Sequence, residues 1–152
     1  MDERGDQIAT RQGWMGLLAR APAREFARLW DAAALEDFVH EWLRPPETGA
    51  VMVRGRAGAT GAPFNLGEMT VTRCALRLAD GRVGHAHVQG RDKRHATRAA
   101  LADALLQGPE AETLRAKVLA PLAEAEAARR AARARRAAAT RVEFFTMVRG
   151  ED

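Results

Sequence analysis

The sequence predicts an α+β domain in which helices flank a small, mostly antiparallel sheet, and three observations predict it. Apolar residues recur at helical spacing from 6 to 42 and again from 92 to 139, whereas between 47 and 90 the period falls to two. Asp80-Gly81 separates two strand-like runs, a strong signal for a two-residue hairpin. A length of 152 residues, 47% hydrophobic and 29% charged, suits one core and a single domain spanning 1–152.

The first block reads as short helices. Ile8, Arg11, Met15 and Leu18 share a stripe with Trp14 and Leu17 beside it, and Thr10 or Asp6 can cap its start. Pro22 breaks the pattern. Phe26, Leu29 and Trp30 continue it in a second segment and Leu35, Phe38, Val39 and Trp42 in a third, until Pro45-Pro46 forbids continuation. An aromatic stripe at this spacing is expected in a core or an interface. His40 has no evident partner and is expected at the surface.

After the prolines, Val51 and Val53 take one face of a strand, and Met52, Arg54 and Arg56 the other. The stretch GRAGATGAPFNLGE, with Gly55, Gly58, Gly61, Gly67 and Pro63, is expected as a loop. Such a loop can offer backbone N–H groups to an anion, yet its spacing matches neither the dinucleotide fingerprint nor the phosphate loop of nucleotide hydrolases. If Ala79 pairs with Arg82 in the following hairpin, Leu78, Leu76, Cys74 and Thr72 face Val83, His85, His87 and Gln89 on one side of the sheet. That register would gather Cys74, His85 and His87. These are residue types that zinc selects, but no fourth ligand is visible, and packing is the simpler reading.

Gly90 and Asp92 lead into a helix, Asp92 as its cap, with Ala96, Ala99, Ala100, Ala102, Leu105 and Leu106 on the apolar side until Gly108-Pro109. Leu114, Val118, Leu119 and Leu122 mark the next helix, which Pro121 either kinks or restarts. Ala123 to Ala139 contains only Ala, Glu and Arg, with Ala123, Ala127, Ala131, Ala134 and Ala138 on one face. A straight helix from Glu110 to Ala139 would run roughly 45 Å. A compact chain of this size has a radius of gyration of about 15 Å, so the helix is expected to project toward a partner unless a kink at Pro121 folds it back. The tail, 141–149, is strand-like.

Composition bounds the function. No apolar run approaches the ~20 residues of a membrane span, and the N-terminal MDERGDQIATRQ is unlike a signal peptide, so no membrane partner and a cytoplasmic setting are expected. A single cysteine, Cys74, excludes an internal disulfide. The net charge of +4 is uneven, since Arg129 to Arg141 holds six arginines and no acid. That segment is either a solvated face or a contact for nucleic acid, nucleotide or an acidic protein surface.

The blocks ATRQGWM, PETGAVMVRGRAGATGAPFNLGEMTVTRC, LADGR, VQGRDKRHA and RVEFFTMVRG resemble the PhnG family, small subunits of the bacterial carbon–phosphorus lyase core complex, over nearly the whole chain. The resemblance implies a cytoplasmic hetero-oligomer containing two copies of this chain with PhnH, PhnI and PhnJ subunits, assisted by the PhnL protein. It implies a reaction in which an alkylphosphonate such as methylphosphonate displaces adenine from MgATP, giving ribose 1-phosphonate 5-triphosphate. The nucleosidase chemistry would belong to PhnI, and radical cleavage to PhnJ. It also implies no cofactor in this chain, with zinc and an iron–sulfur cluster only in partner subunits; one cysteine cannot hold such a cluster. The family pattern does not depend on His85 or His87.

Arg54, Arg56, Arg73, Arg91 and Lys93 are therefore candidates to border either a neighbouring subunit or an anionic substrate, with Asn65, Glu68, Thr70 and Gln89 fixing geometry. Arginine suits both, because its planar fork binds carboxylate and phosphate bidentately. No catalytic residue is expected in the chain. The alternatives are a nucleic-acid-binding protein using the arginine-rich helix, disfavoured by the resemblance, and a stand-alone zinc enzyme centred on Cys74, His85 and His87.

Overall fold

The computed structural model describes residues 8–34 and 38–141. Helix α1, Arg11–Arg20, starts at Thr10, whose hydroxyl accepts from the Gly13 N–H at 3.1 Å. Helix α2, Ala23–Ala32, starts after Pro22. Three antiparallel strands follow in spatial order β1-β2-β3: β1, His40–Arg56; β2, Pro63–Leu78; β3, Val83–Gln89. Helix α3, Lys93–Leu105, crosses the sheet, with Asp92 capping it by accepting from the His95 N–H at 2.9 Å. Helix α4, Ala111–Leu114, runs through one π-helical turn, Arg115–Leu119, into α5, Ala120–Ala139.

The core lies between one face of the sheet and the helices. Cys74, Leu76, Leu78, Ala86 and Val88 meet Ala96, Ala99, Ala100 and Leu105 of α3. Around them close Trp14, Leu17 and Leu18 of α1, Phe26, Leu29 and Trp30 of α2, and Leu114, Val118, Leu119 and Leu122. Gly84 permits the tightest approach. A Cβ there would strike the backbone of Ala100 and Ala104, so only glycine lets α3 sit this close to β3.

Several expectations need correction. Trp42 belongs to a strand, since β1 begins at His40, before the prolines. Proline is tolerated on an edge strand, and register shifts between Trp42 and Arg44 and between Arg44 and Glu47 carry Pro45-Pro46. The glycine-rich stretch is mostly strand as well. β1 and β2 pair from Arg56↔Pro63 inward, leaving a short tip with a 3-10 turn at Ala57–Ala59, where Gly58 and Ala59 have positive φ. Pro121 stands at the opening of α5, as its second residue, where its missing N–H is tolerated. The Ala120 N–H bonds the Arg115 carbonyl, and this wider turn precedes the proline. His40 is half-buried, its ring donating to the Phe38 carbonyl at 2.9 Å and standing edge-on to Trp42. Asp6, Leu35 and the expected strand-like tail from 142 lie outside the described residues.

The hairpin register is also shifted by one. Leu78 pairs with Arg82 through Leu78 N–H to Arg82 O, and Gly81 donates to Leu78 O with φ of +91°. This is a three-residue loop with glycine in the left-handed position, not a two-residue one. The ladder therefore reads Ala75↔His85, Cys74↔Ala86 and Arg73↔His87. Every β3 side chain lies on the opposite face from that expected.

Candidate functional site

The register separates the three residues considered for zinc. Cys74 faces the core, where its thiol donates to the Ala96 carbonyl at 3.2 Å and burial pushes its pKa up to about 11. His85 and His87 are exposed on the other face of β3, on the rim of a mainly apolar groove that also involves Met15, Gly16 and Ala19 of α1. Among the described residues no group of three or more His, Cys, Asp or Glu could hold a metal ion.

The remaining candidates fall into two places. Arg54, Arg56, Asn65 and Glu68 lie on the far half of the β1–β2 ribbon, beyond β3 and the helices; Arg54 pairs with Asn65 and Met52 with Glu68. This half is an arm. Val51 and Val53 alternate with exposed Met52, Arg54 and Arg56, as their spacing predicts. Phe64 and Leu66 flank Gly55 yet remain 45% and 66% exposed, and Met52 is 52% exposed. Arg56 donates to the Gly61 carbonyl at 3.1 Å across the tip, and Arg54, Gly55, Arg56, Ala59 and Pro63 line a notch there. Nearer the body, Arg73 holds Glu47 at 2.8 Å, an exposed pair worth about 0–1 kcal/mol.

The second place is a cleft of about 710 Å³ where the end of α1, the start of α2, the β3–α3 turn and α5 meet. It takes in Gln89 and Arg91. Thr70 adjoins this turn, its carbonyl accepting from the Gly90 N–H at 2.9 Å, and the buried Thr72 hydroxyl donates to the Gly90 carbonyl at 2.8 Å. Lys93 lies one recess away, with Arg94, Thr97 and Arg98. Arg20, Arg129, Arg130 and Arg133 reach the cleft although sequence reasoning did not place them there. The arginine-rich helix was visible as a signal, but its proximity to Arg91 depends on how α5 packs back across α1 and α2. Two ion pairs fix that packing: Arg20 to Glu126 at 2.9 Å and Arg129 to Glu25 at 2.9 Å.

Sequence reasoning also missed the polar centre that holds β3. Asp103 of α3 is fully buried and accepts from Arg11 at 3.0 and 2.7 Å, the Trp14 indole at 2.9 Å and the His85 backbone N–H at 2.9 Å. Arg11 and Gln107 donate to the Val83 carbonyl. Side chains thus occupy the Val83–His85 part of the outer edge of β3, which would otherwise offer itself to another strand. The hydrogen bond to Asp103 raises the Arg11 pKa above its ordinary value. At the hairpin end, Arg82 bonds Glu110 at 2.7 Å and Asp80 at 2.6 Å while reaching the last carbonyls of α3, and its hydrogen bond holds the Glu110 carboxyl below its usual range.

The described side chains hence form a supported body, a basic cleft and an uncovered arm. Comparison with known proteins agrees with a chain built for assembly. The family model described as phosphonate metabolism protein PhnG matches residues 9–150. A curated protein of Rhizobium meliloti (strain 1021), alpha-D-ribose 1-methylphosphonate 5-triphosphate synthase subunit PhnG, is 51% identical over 149 residues, covering 95% of this chain and 92% of that protein. With a match of that extent on both counts, the chain belongs to the PhnG family of phosphonate metabolism proteins.

Proposed function

We propose that this chain is an accessory subunit of a ribose 1-methylphosphonate 5-triphosphate synthase in phosphonate catabolism, needed when an alkylphosphonate displaces adenine from MgATP. The reading is supported by the relative that bears this name and by 51% identity to it. Its partners are PhnH, PhnI and PhnJ subunits with the PhnL protein, in a cytoplasmic hetero-oligomer holding two copies of this chain. MgATP is a substrate of the whole, and zinc and an iron–sulfur cluster belong to the partners. The chain is not catalytic alone.

The observation that carries a subunit role is the arm. A two-stranded ribbon is at best marginally stable in water unless a third layer covers it, and this one exposes Met52, Phe64 and Leu66 beyond the reach of the helices. A neighbouring subunit that buries those side chains would supply the missing layer. Arg54 and Arg56 would then meet carboxylates or a shared anionic substrate at its rim. Co-expression with the partner subunits and affinity purification tests this. Wild-type chain should co-purify in fixed ratio and support adenine release from MgATP with methylphosphonate, whereas Phe64→Asp combined with Leu66→Asp should fold and be left behind. Undiminished adenine release by partners lacking this chain would overturn the assignment.

A further inference from the structure

Among the described residues, the cleft beside α5 carries more positive charge than its ion pairs use. Arg20 of α1, Arg91 of the β3–α3 turn and Arg129, Arg130 and Arg133 of α5 line it. The carboxylates lining it are Asp92, engaged as the cap of α3, and Glu126, which holds Arg20 at 2.9 Å and Arg130 at 3.5 Å. Arg129 is held by Glu25 at 2.9 Å. Among the described residues neither Arg91 nor Arg133 has a carboxylate partner. Five cations thus face two lining anions, and the excess persists when Glu25 is included.

A solvated basic face would spread such groups over a convex surface. Here they come from three separate elements into one concavity, with Ala19, Ala21 and Ala23 as part of its wall. A recess with low-dielectric walls focuses the field of its charges on whatever enters it. Arg129 and Arg133, four residues apart, lie on the same side of α5, and Arg91 stands on the turn that opens α3. Several forked donors spread along a cleft suit an elongated anion bearing several phosphoryl groups better than a single phosphate, because each guanidinium can bind bidentately.

We propose that this cleft binds the triphosphate chain of a phosphate ester. The choice of a triphosphate rests on the synthase assignment made above; that the cleft takes a polyanion rests on its arginines alone. Arg91 and Arg133 would be its principal free donors, with Gln89 beside them.

Calorimetric titration of the purified full-length chain with sodium tripolyphosphate and with orthophosphate, at low ionic strength, tests the proposal. Tripolyphosphate should saturate one site and bind at least roughly tenfold tighter than orthophosphate. Arg91→Ala and Arg133→Ala should each weaken it by roughly tenfold, with unchanged melting, and Arg77→Ala, at a β2 residue that pairs with Glu41 away from the cleft, should leave it as it was. No saturable binding, or binding that survives the Arg91→Ala/Arg133→Ala double substitution, would overturn the site. The double variant should still co-purify with the partner subunits. If instead the wild type binds no tripolyphosphate and the double variant loses its partners, the cleft is a protein-docking face; this proposal then falls while the subunit assignment stands. Should the wild type bind tripolyphosphate through Arg91 and Arg133 yet co-purify with no subunit, the polyanion cleft stands and the subunit assignment falls.

Discussion

Asp103 shows what one residue contributes to the body on which the arm and the cleft are mounted. Its carboxylate is fully buried and satisfied by Arg11, Trp14 and the backbone of His85, so it joins α1, α3 and β3 at one point. Asp103→Ala should cost about 3–5 kcal/mol in urea denaturation, because it leaves the buried Trp14 indole N–H and the partly buried His85 N–H without an acceptor and Arg11 without its carboxylate. Asp103→Asn retains one acceptor oxygen and should cost less. An alanine variant with a wild-type midpoint would show the network to be dispensable. The sign of this residue was legible, since an acid three and four residues after Ala100 and Ala99 lies on the apolar side of α3. Its partners were not, because Arg11 and Trp14 are 92 and 89 positions away. The hairpin register was recoverable in principle. Asp-Gly suits two-residue and three-residue loops alike, but only the latter places Gly84, Ala86 and Val88 with Cys74, Leu76 and Leu78 on one apolar face.

At the scale of elements, the helices that build the core were legible and the arm was not. Cap residues and apolar spacing located α1, α2 and α3 to within a few residues, because their signals are local. Glycines and prolines in β1 and β2 suggested a loop because they depress strand propensity, yet an edge strand can include proline and a bulge. Pairing along β2 organises those residues, and such pairing is invisible in local composition. Helix α5 behaves differently along its length. Leu122 and Ala123 are buried, whereas from Arg133 to Ala139 every residue is exposed. Backbone amides of 133–139 should accordingly exchange within seconds to minutes in the isolated chain, and those of 114–123 should exchange far more slowly, as hydrogen-exchange mass spectrometry would measure. Uniform protection along α5 in the free chain would contradict this division.

For the whole molecule, the folded body and the uncovered arm imply that stability is shared with the assembly. The body has a continuous core, so the chain should fold alone. The arm has its hydrogen bonds but lacks a covering layer, and the basic cleft keeps like charges close together. A partner that binds only the folded chain adds about 2.7 kcal/mol at a hundred times its dissociation constant. For a chain of this size that is a rise in Tm of roughly 5–10 °C. Differential scanning calorimetry of the chain with saturating partner subunit should show that rise, dependent on concentration, and Phe64→Asp with Leu66→Asp should abolish it while leaving the Tm of the free chain within about 2 °C, since both side chains are exposed there. An equal rise for the substituted chain would move the interface away from the arm. No rise with any partner would mean that the arm remains uncovered in the assembly, and the exposed apolar side chains would then need a different explanation.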